Sequence, residues 1–368
     1  MRVLQIINSL NTGGAEKLLL ETIPLYVERG IKMDILLLWD NNCMFTEKLK
    51  ALDCCKVYVI NENKSARSIY NPLNIFKIAK IIKNYDLAHV HLFPAQYFTV
   101  FANIFTGSKC KLIFTEHNTS NRRINNKIFK SIEKYIYSKY VKLVCISDEI
   151  KNIYQEYLSF KEDKIAMINN GVYLEGIYNA VPLKKNQLNT SLKEEDVVIV
   201  QVSAFRPQKD QKTLIKAIKE LDDKYKLLLV GGGTTMDEHI SLVKELKLEE
   251  RVYFLGQRDD VNRILKSADL VVLSSFYEGL SLASIEGLAS GNPFIASDVP
   301  GLREIVKNYG VLFERGNVQE LVDKISELTE NQDLNKRVTT SCQERAKHFD
   351  IKLMLDKHIN LYQKVYEG

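Results

Sequence analysis

Long hydrophobic runs are missing from this chain. No apolar stretch approaches the ~20 residues that a helix needs to cross a bilayer. Met1-Arg2 passes straight into a short strand-like run over residues 3–7, without the apolar core and cleavage site of a secretory leader. The expected location is the cytoplasm, with a peripheral position on the inner face of the membrane as its variant. The cysteines, at positions 43, 54, 55, 110, 145 and 342, follow no metal-ligand spacing. Cys110 and Cys145 lie in apolar segments and read as buried thiols, so nothing suggests a disulfide framework and a reducing compartment is expected. Internal repeats and low-complexity tracts are absent. The dinucleotide fingerprint G-x-G-x-x-G and the Walker A sequence are absent too, which removes two familiar glycine-rich phosphate loops. No D-x-D sequence occurs, so a divalent metal is not implied and no metal site or cofactor is expected.

What is present is ordinary in bulk and uneven in charge. The 368 residues are 45% apolar and 26% charged, as in soluble globular proteins. That length is too great for one core and fits two domains of about 180 residues. The net charge of +5 is not shared evenly. Residues 1–180 hold 24 Lys and Arg against 17 Asp and Glu, while the remainder holds 27 against 29. Partners of the N-terminal half are therefore expected to be anionic, either phosphorylated acceptors or a membrane surface, and no nucleic acid is expected.

Strand-like apolar runs alternate with helical periodicity along the whole chain. Strands are expected over residues 3–7, 32–39, 56–60, 87–92, 111–117, 143–147 and 164–169, and helices over 15–29, 72–84, 96–105, 126–140 and 148–158. A second series of strands follows at 197–203, 226–230, 252–255, 270–274, 294–297 and 311–313. Repeated β-α alternation means a parallel, doubly wound sheet in each half. Residues 182–196 are polar and read as a linker, and 353–365 read as a terminal helix.

The densest chemistry lies at residues 276–287, Phe-Tyr-Glu-Gly-Leu-Ser-Leu-Ala-Ser-Ile-Glu-Gly. The stretch reads as the end of a buried strand, a tight turn at Gly279, and a helix with Ser281 as its N-cap. Carboxyl ends of parallel strands are where open α/β sheets bind ligands. Glu278 lies in the turn and Glu286 about a turn and a half into the helix. The backbone N–H groups of Gly279, Leu280 and Ser281 and the positive end of the helix dipole suit a phosphate. A carboxylate can accept both hydroxyls of a ribose.

Other strand ends add polar groups. Gly13 and Gly14 lie between the first strand and its helix, where glycines permit positive φ and close approach of a phosphate. Arg206 and Lys209 follow the strand over 197–203, where a guanidinium fork and an ammonium suit a diphosphate. Gly232 follows the next strand, and Gln257 and Arg258 the one after. In the N-terminal half, His89 and His91, then His117 and Asn118, lie at strand ends. The three histidines are expected to lack a shared face and so to form no metal site.

Taken together, Glu278 and Glu286 in an E-x7-E element, with Tyr277-Glu278-Gly279-Leu280 before and Gly291-Asn292-Pro293 after, resemble the nucleotide-sugar site of retaining glycosyltransferases of the GT-B fold, family 4. The resemblance covers nearly the whole chain and is densest over residues 197–312. It implies two Rossmann-like doubly wound domains facing across a cleft: an acceptor domain over 1–181, a nucleotide-sugar domain over 182–348, and a helix over 349–368 packing back on the first. It implies that Glu278 contacts the transferred sugar, that Glu286 holds the nucleotide ribose, and that Gly13, Gly14 and Lys209 face the donor phosphates. The segment Gly256-Gln257-Arg258 matches backbone that meets the nucleobase. Thr115-Glu116-His117-Asn118 matches the segment whose histidine approaches donor sugar and acceptor, and His89 and His91 match an element of structural or acceptor-lining role. The family's arginine position is occupied here by Ala204, and Arg206 is the substitute. The implied reaction takes a sugar from a UDP- or GDP-type donor to a sugar or lipid-linked acceptor with retention. A nucleotide-sugar epimerase and an inactive sugar-nucleotide-binding partner subunit are the alternatives.

Overall fold

The computed structural model describes residues 1–11, 13–117 and 127–368, with the side chains of residues 127 and 128 outside that description. The chain forms two units, one of residues 1–170 and 351–368 and the other of residues 171–350. In the first, β1 (Arg2–Ile7), α1 (Gly14–Glu28), β2 (Lys32–Leu37), α2 (Met44–Ala51), β3 (Val57–Val59), α3 (Asn74–Ile82), β4 (Leu87–His91), α4 (Ala95–Thr106), β5 (Lys111–Glu116), α5 (Lys127–Ser138), β6 (Lys142–Cys145), α6 (Asp148–Leu158) and β7 (Ile165–Met167) follow one another. All strands are parallel, in the order β3-β2-β1-β4-β5-β6-β7. Val3, Leu4, Ile6 and Ile7 are fully buried, as expected of a central strand covered on both faces. Each such aliphatic side chain contributes roughly 1.5–3 kcal/mol on burial. Helices start where the chemistry allows: Ser147 accepts from Ile150 N–H at 3.2 Å, with Asp148 and Glu149 in the first turn of α6.

The second unit contains α7 (Leu174–Tyr178), α8 (Lys185–Leu188), β8 (Val197–Val202), α9 (Gln211–Glu220), β9 (Tyr225–Val230), α10 (Met236–Glu245), β10 (Val252–Gly256), α11 (Val261–Ser267), β11 (Leu270–Leu273), α12 (Leu282–Ala289), β12 (Phe294–Ser297), α13 (Arg303–Val306), β13 (Val311–Phe313), α14 (Val318–Glu330) and α15 (Gln332–Ala346). Its parallel sheet has the order β10-β9-β8-β11-β12-β13. Each sheet thus reverses its winding once, between β1 and β4 in the first and between β8 and β11 in the second. A crevice opens at such a switch point because the connections depart to opposite faces.

The last helix, α16 (Ile351–Glu367), belongs to the first unit. Lys111 Nζ donates to the Val365 carbonyl at 2.8 Å, and Arg29 pairs with Asp356.

Two expectations need correction. The boundary between the units falls after Asn170, not after residue 181. Leu174 and Ile177 of α7 are buried beside α11 and α12, which ties this stretch to the second unit. Residues 182–196 are not a free linker either. Leu188 and Leu192 are buried, Leu183 N–H donates to Ser267 Oγ at 2.6 Å, and Lys185 Nζ donates to the carbonyls of Glu194 and Asp196 at 2.7 and 2.5 Å. Two leucines in a polar sequence suffice to anchor it.

Candidate functional site

In the second unit the switch point brings together loops that lie 69 residues apart in sequence. Lys209 forms a two-residue bridge with Ser275, and Phe276 N–H donates to the Gln208 carbonyl at 2.9 Å. The side chains then meet. Lys209 Nζ forms an ion pair with Glu278 Oε1, and Ser275 Oγ donates to the same oxygen at 2.6 Å. The Lys209 and Glu278 side chains are only 9% and 8% exposed, so the pair is shielded from salt and water.

The surrounding bonds hold the pair in place. Asp210 N–H donates to the Ser274 carbonyl at 3.0 Å, and the Asp210 carboxylate caps α9 by accepting from Thr213 N–H at 3.2 Å and Thr213 Oγ1 at 2.7 Å. Ser275 N–H donates to Ser297 Oγ at 3.0 Å. Gly301, at φ +84°, lies so near the turn that a Cβ there would meet the carbonyl oxygens of Glu278 and Gly279 at 2.3 and 2.5 Å. Glu304 accepts from Gly301 N–H at 2.6 Å and holds that approach.

The other predicted residues of this unit take different stations. Ser281 occupies the N-cap of α12 in extended backbone, but its hydroxyl makes no capping bond. Gly279 and Leu280 lie in the turn before it, with Leu280 buried. Glu286 is buried within α12 at 4% exposure. A Cβ on the next residue, Gly287, would strike the Phe294 ring at 2.5 Å, so glycine sets the close seating of α12 on β12. Arg206 is exposed and its guanidinium has no partner among the described residues. Arg258 is committed elsewhere: it holds Asp260 by a fork of 2.8 and 2.7 Å, which raises the pKa of the arginine and lowers that of the carboxyl. Gln257 is exposed beside it, and Gly232 faces the Gln257 side chain.

In the first unit Gly13 is the N-cap of α1, with φ −150° and ψ 168°, and Gly14 is the first helical residue. Neither has the positive φ that the paired glycines suggested. Asn118 lies outside the described residues.

The histidines also depart from expectation, because they do share a face. His89 and His91 alternate along β4, and parallel register sets His91 opposite Thr115, two residues before His117. Ring centroids of His89 and His91 lie 4.5 Å apart, and those of His91 and His117 5.4 Å apart. His358, from α16, adds a fourth ring 5.5 Å from His89. His89 and His91 are 1% and 4% exposed, so they lie inside the unit rather than lining its surface. Their nitrogens are bonded internally: His89 to Tyr362 OH and Thr115 Oγ1, both at 2.6 Å, and His91 to Gln5 Oε1 at 2.9 Å and His117 Nε2 at 3.1 Å. Burial holds His89 and His91 well below the usual histidine pKa, and pushes His117 down to about 4 and His358 to about 3. Among the described residues, no group of His, Cys, Asp and Glu is arranged to hold a metal ion.

Sequence reasoning missed Ser275, Gly301 and Gln5. Ser275 lies only three residues before Glu278, but a serine at a strand end carries no signal of its own, and Gly301 acts through a contact across the fold that no local spacing announces. Gln5 did leave a signal, as one amide in an otherwise apolar central strand.

Two parallel Rossmann-like units, with charged groups gathered at the switch point of the second, define a protein of the GT-B architecture. HepE of Anabaena, solved with UDP-glucose, has this fold, with a TM-score of 0.86 at 21% identity over 99% of this chain and 100% of that one. Residues 12–175 match Glycosyltransferase Family 4, and residues 184–345 match Glycosyl transferases group 1. An uncharacterized glycosyltransferase of Methanocaldococcus jannaschii is 32% identical over 313 residues, 83% of this chain and 82% of its own. The UDP-Gal:α-D-GlcNAc-diphosphoundecaprenol α-1,3-galactosyltransferase of Escherichia coli is 28% identical over 325 residues, 84% of this chain and 81% of its own. The chain belongs to the family 4 glycosyltransferases and is an enzyme of that class.

Proposed function

We propose that this glycosyltransferase moves a sugar, with retention of anomeric configuration, from a UDP- or GDP-type nucleoside diphosphate sugar to a hydroxyl of a sugar or lipid-linked acceptor. The setting is the synthesis of a bacterial surface polysaccharide or glycolipid. The buried Lys209–Glu278 pair at the switch point carries the reading, because it sets an ammonium and a carboxylate side by side where a sugar diphosphate would enter. The barrier to transfer is departure of the diphosphate from an oxocarbenium-like sugar, so the protein must stabilise charge on the leaving group and hold the acceptor. Lys209 takes the diphosphate and Arg206 stands in for the arginine that Ala204 replaces. Gly13 and Gly14, and the N-terminus of α12 at residues 279–282, add backbone N–H groups. Glu278 meets the transferred sugar, Glu286 the ribose, and His117 a hydroxyl of sugar or acceptor. These cations and dipoles serve in place of a divalent metal. The E. coli relative's name gives a UDP-sugar and a diphosphoundecaprenol-linked acceptor, which favours UDP and a lipid-linked acceptor here.

A lipid-linked acceptor calls for a docking face, and the first unit has a fitting one. Tyr70, Leu73 and Phe76 near and in α3, Phe101, Ile104 and Phe105 in α4, and Phe129, Ile132 and Tyr135 in α5 are all exposed. The only acid within these helices is Glu133, which is buried, whereas Lys80 and Lys130 are exposed. Aromatic rings with cations and no exposed acids match an anionic lipid interface.

The test is a thermal-shift panel of UDP, GDP, ADP and their sugars, followed by transfer and anomer analysis of the product. A ligand at 100 times its Kd stabilises the fold by about 2.7 kcal/mol, so the true nucleotide stands out. Transfer persists in EDTA; its abolition, with recovery on adding Mn²⁺ or Mg²⁺, overturns the metal-free account. A new nucleotide sugar formed from donor alone overturns transfer in favour of epimerisation.

A further inference from the structure

The hydrogen bonds behind His117 run in one direction, and Gln5 sets that direction. The Gln5 amide lies 1% exposed in the middle of β1, level with His89 across the sheet. Its Nε2 is 3.6 Å from Met33 Sδ and 3.2 Å from Tyr362 OH, and its Oε1 is 2.9 Å from His91 Nε2. A thioether offers only lone pairs, so the amide presents its N–H groups, not its oxygen, to Met33. The oxygen can then only accept, and His91 Nε2 must carry a proton to donate to it. Burial keeps His91 neutral, and a neutral imidazole has one N–H. His91 Nδ1 is therefore a lone pair, and the 3.1 Å contact to His117 Nε2 forms only if His117 donates there. His117 is itself neutral, which leaves its lone pair on Nδ1. That nitrogen has no partner among the described residues.

The second arm closes consistently. Tyr362 OH receives from Gln5 and donates to His89 Nδ1, and His89 Nε2–H donates to Thr115 Oγ1. Every bond in the network is satisfied by one assignment of protons. Reversing the Gln5 amide would turn its oxygen towards the Met33 sulfur, leave that contact without a hydrogen, and invert both His91 and His117.

We propose that Gln5 is a positioning residue: acting through His91, it fixes His117 as the Nε2–H tautomer and so presents Nδ1 as a hydrogen-bond acceptor for a substrate hydroxyl. The assignment of a hydroxyl rests on the role given to His117 under the proposed function; the tautomer does not. A hydroxyl-rich ligand such as a sugar donates to this nitrogen, whereas a carbonyl or phosphate oxygen, which only accepts, finds no hydrogen there.

The experiment is long-range ¹H–¹⁵N spectroscopy of protein labelled in its histidines, without substrate. In wild-type protein His117 shows a protonated Nε2 and an unprotonated Nδ1. Gln5→Leu, close in volume and apolar, removes the acceptor and gives a mixed tautomer at His117. Gln5→Glu still accepts from His91 Nε2 and restores the wild-type pattern. The same order holds in kinetics: kcat in Gln5→Leu falls by roughly 10-fold or more, the scale seen when a histidine's orienting partner is lost. Nucleotide affinity stays unchanged, and Gln5→Glu recovers part of the rate. A wild-type His117 protonated on Nδ1 overturns the proposal, as does a Gln5→Leu spectrum identical to wild type. The wild-type spectrum decides even if a variant fails to fold. If the tautomer holds but His117→Ala transfers sugar normally, the role assigned to His117 in the reaction falls and the relay stands.

Discussion

Under the proposed function, the Lys209–Glu278 pair joins stability to chemistry in two side chains. Removing one partner leaves the other charge buried and unpaired, which costs about 3–5 kcal/mol, far more than loss of an exposed pair. Lys209→Ala is therefore expected to lower thermal stability and to weaken binding of the diphosphate more than that of the nucleoside. Glu278→Gln keeps the shape and loses the charge, and is expected to lower kcat by about 10²-fold while nucleotide binding changes little. Combining Lys209→Ala with Glu278→Gln removes both charges and should recover part of the lost stability. A double variant no more stable than Lys209→Ala alone would show that the two charges are not energetically coupled. Glu286→Ala should weaken nucleotide affinity with a smaller effect on kcat. Equal affinity in that variant and wild type removes Glu286 from the ribose.

Among the elements, α3, α4 and α5 carry the clearest outward signature. Phe105 is 66% exposed and Phe101 39%, one helical turn apart on α4. A Phe101→Ser/Phe105→Ser variant removes apolar surface that supports little of the core, so its fold should be unchanged. Flotation with liposomes should show wild-type protein bound to anionic vesicles at low salt, released as salt rises, and the double variant largely unbound. Wild-type protein that stays unbound on anionic vesicles at low salt would point to a soluble acceptor. Legibility in the sequence also varied with the kind of element. The central strands, β1 and β11 among them, were readable because parallel strands buried on both faces leave unbroken apolar runs. Helix α2, only eight residues long, left no periodic stretch long enough to stand out. The Glu278 turn was readable because strand end, turn and helix are local. Its union with Lys209, the rows of histidines, and the seating of Gly301 depend on register and packing between distant segments, which spacing along the chain does not encode. The supposed linker was misread for a similar reason, since composition averages over residues while burial of Leu188 and Leu192 selects two of them.

Across the molecule, the first unit is expected to lose stability in acid. His89, His91, His117 and His358 are held neutral, with His117 at about 4 and His358 at about 3, against an ordinary value of 6.5. As pH falls below 6.5 the unfolded chain takes up protons that the folded chain refuses. Stability is then lost with acid, by up to ~1.4 kcal/mol per pH unit for each histidine, until the folded values are reached. Urea midpoints for the first unit should fall from about pH 7 to about pH 5, and His358→Gln should flatten the slope. A midpoint independent of pH over that range would mean that these rings are not held neutral.

Helix α16 bears on how the molecule is made. The ribosome releases residues 1–170 first, yet Tyr362 and His358, which complete the hydrogen bonds of His89 and Tyr26, emerge only after the whole of the second unit. The second unit, one continuous stretch from 171 to 350, has its full sequence before the first unit does. The earlier-made half of the chain thus waits for α16, with His89 lacking its bond to Tyr362, Tyr26 its bond to His358, and the sheet uncovered where that helix belongs.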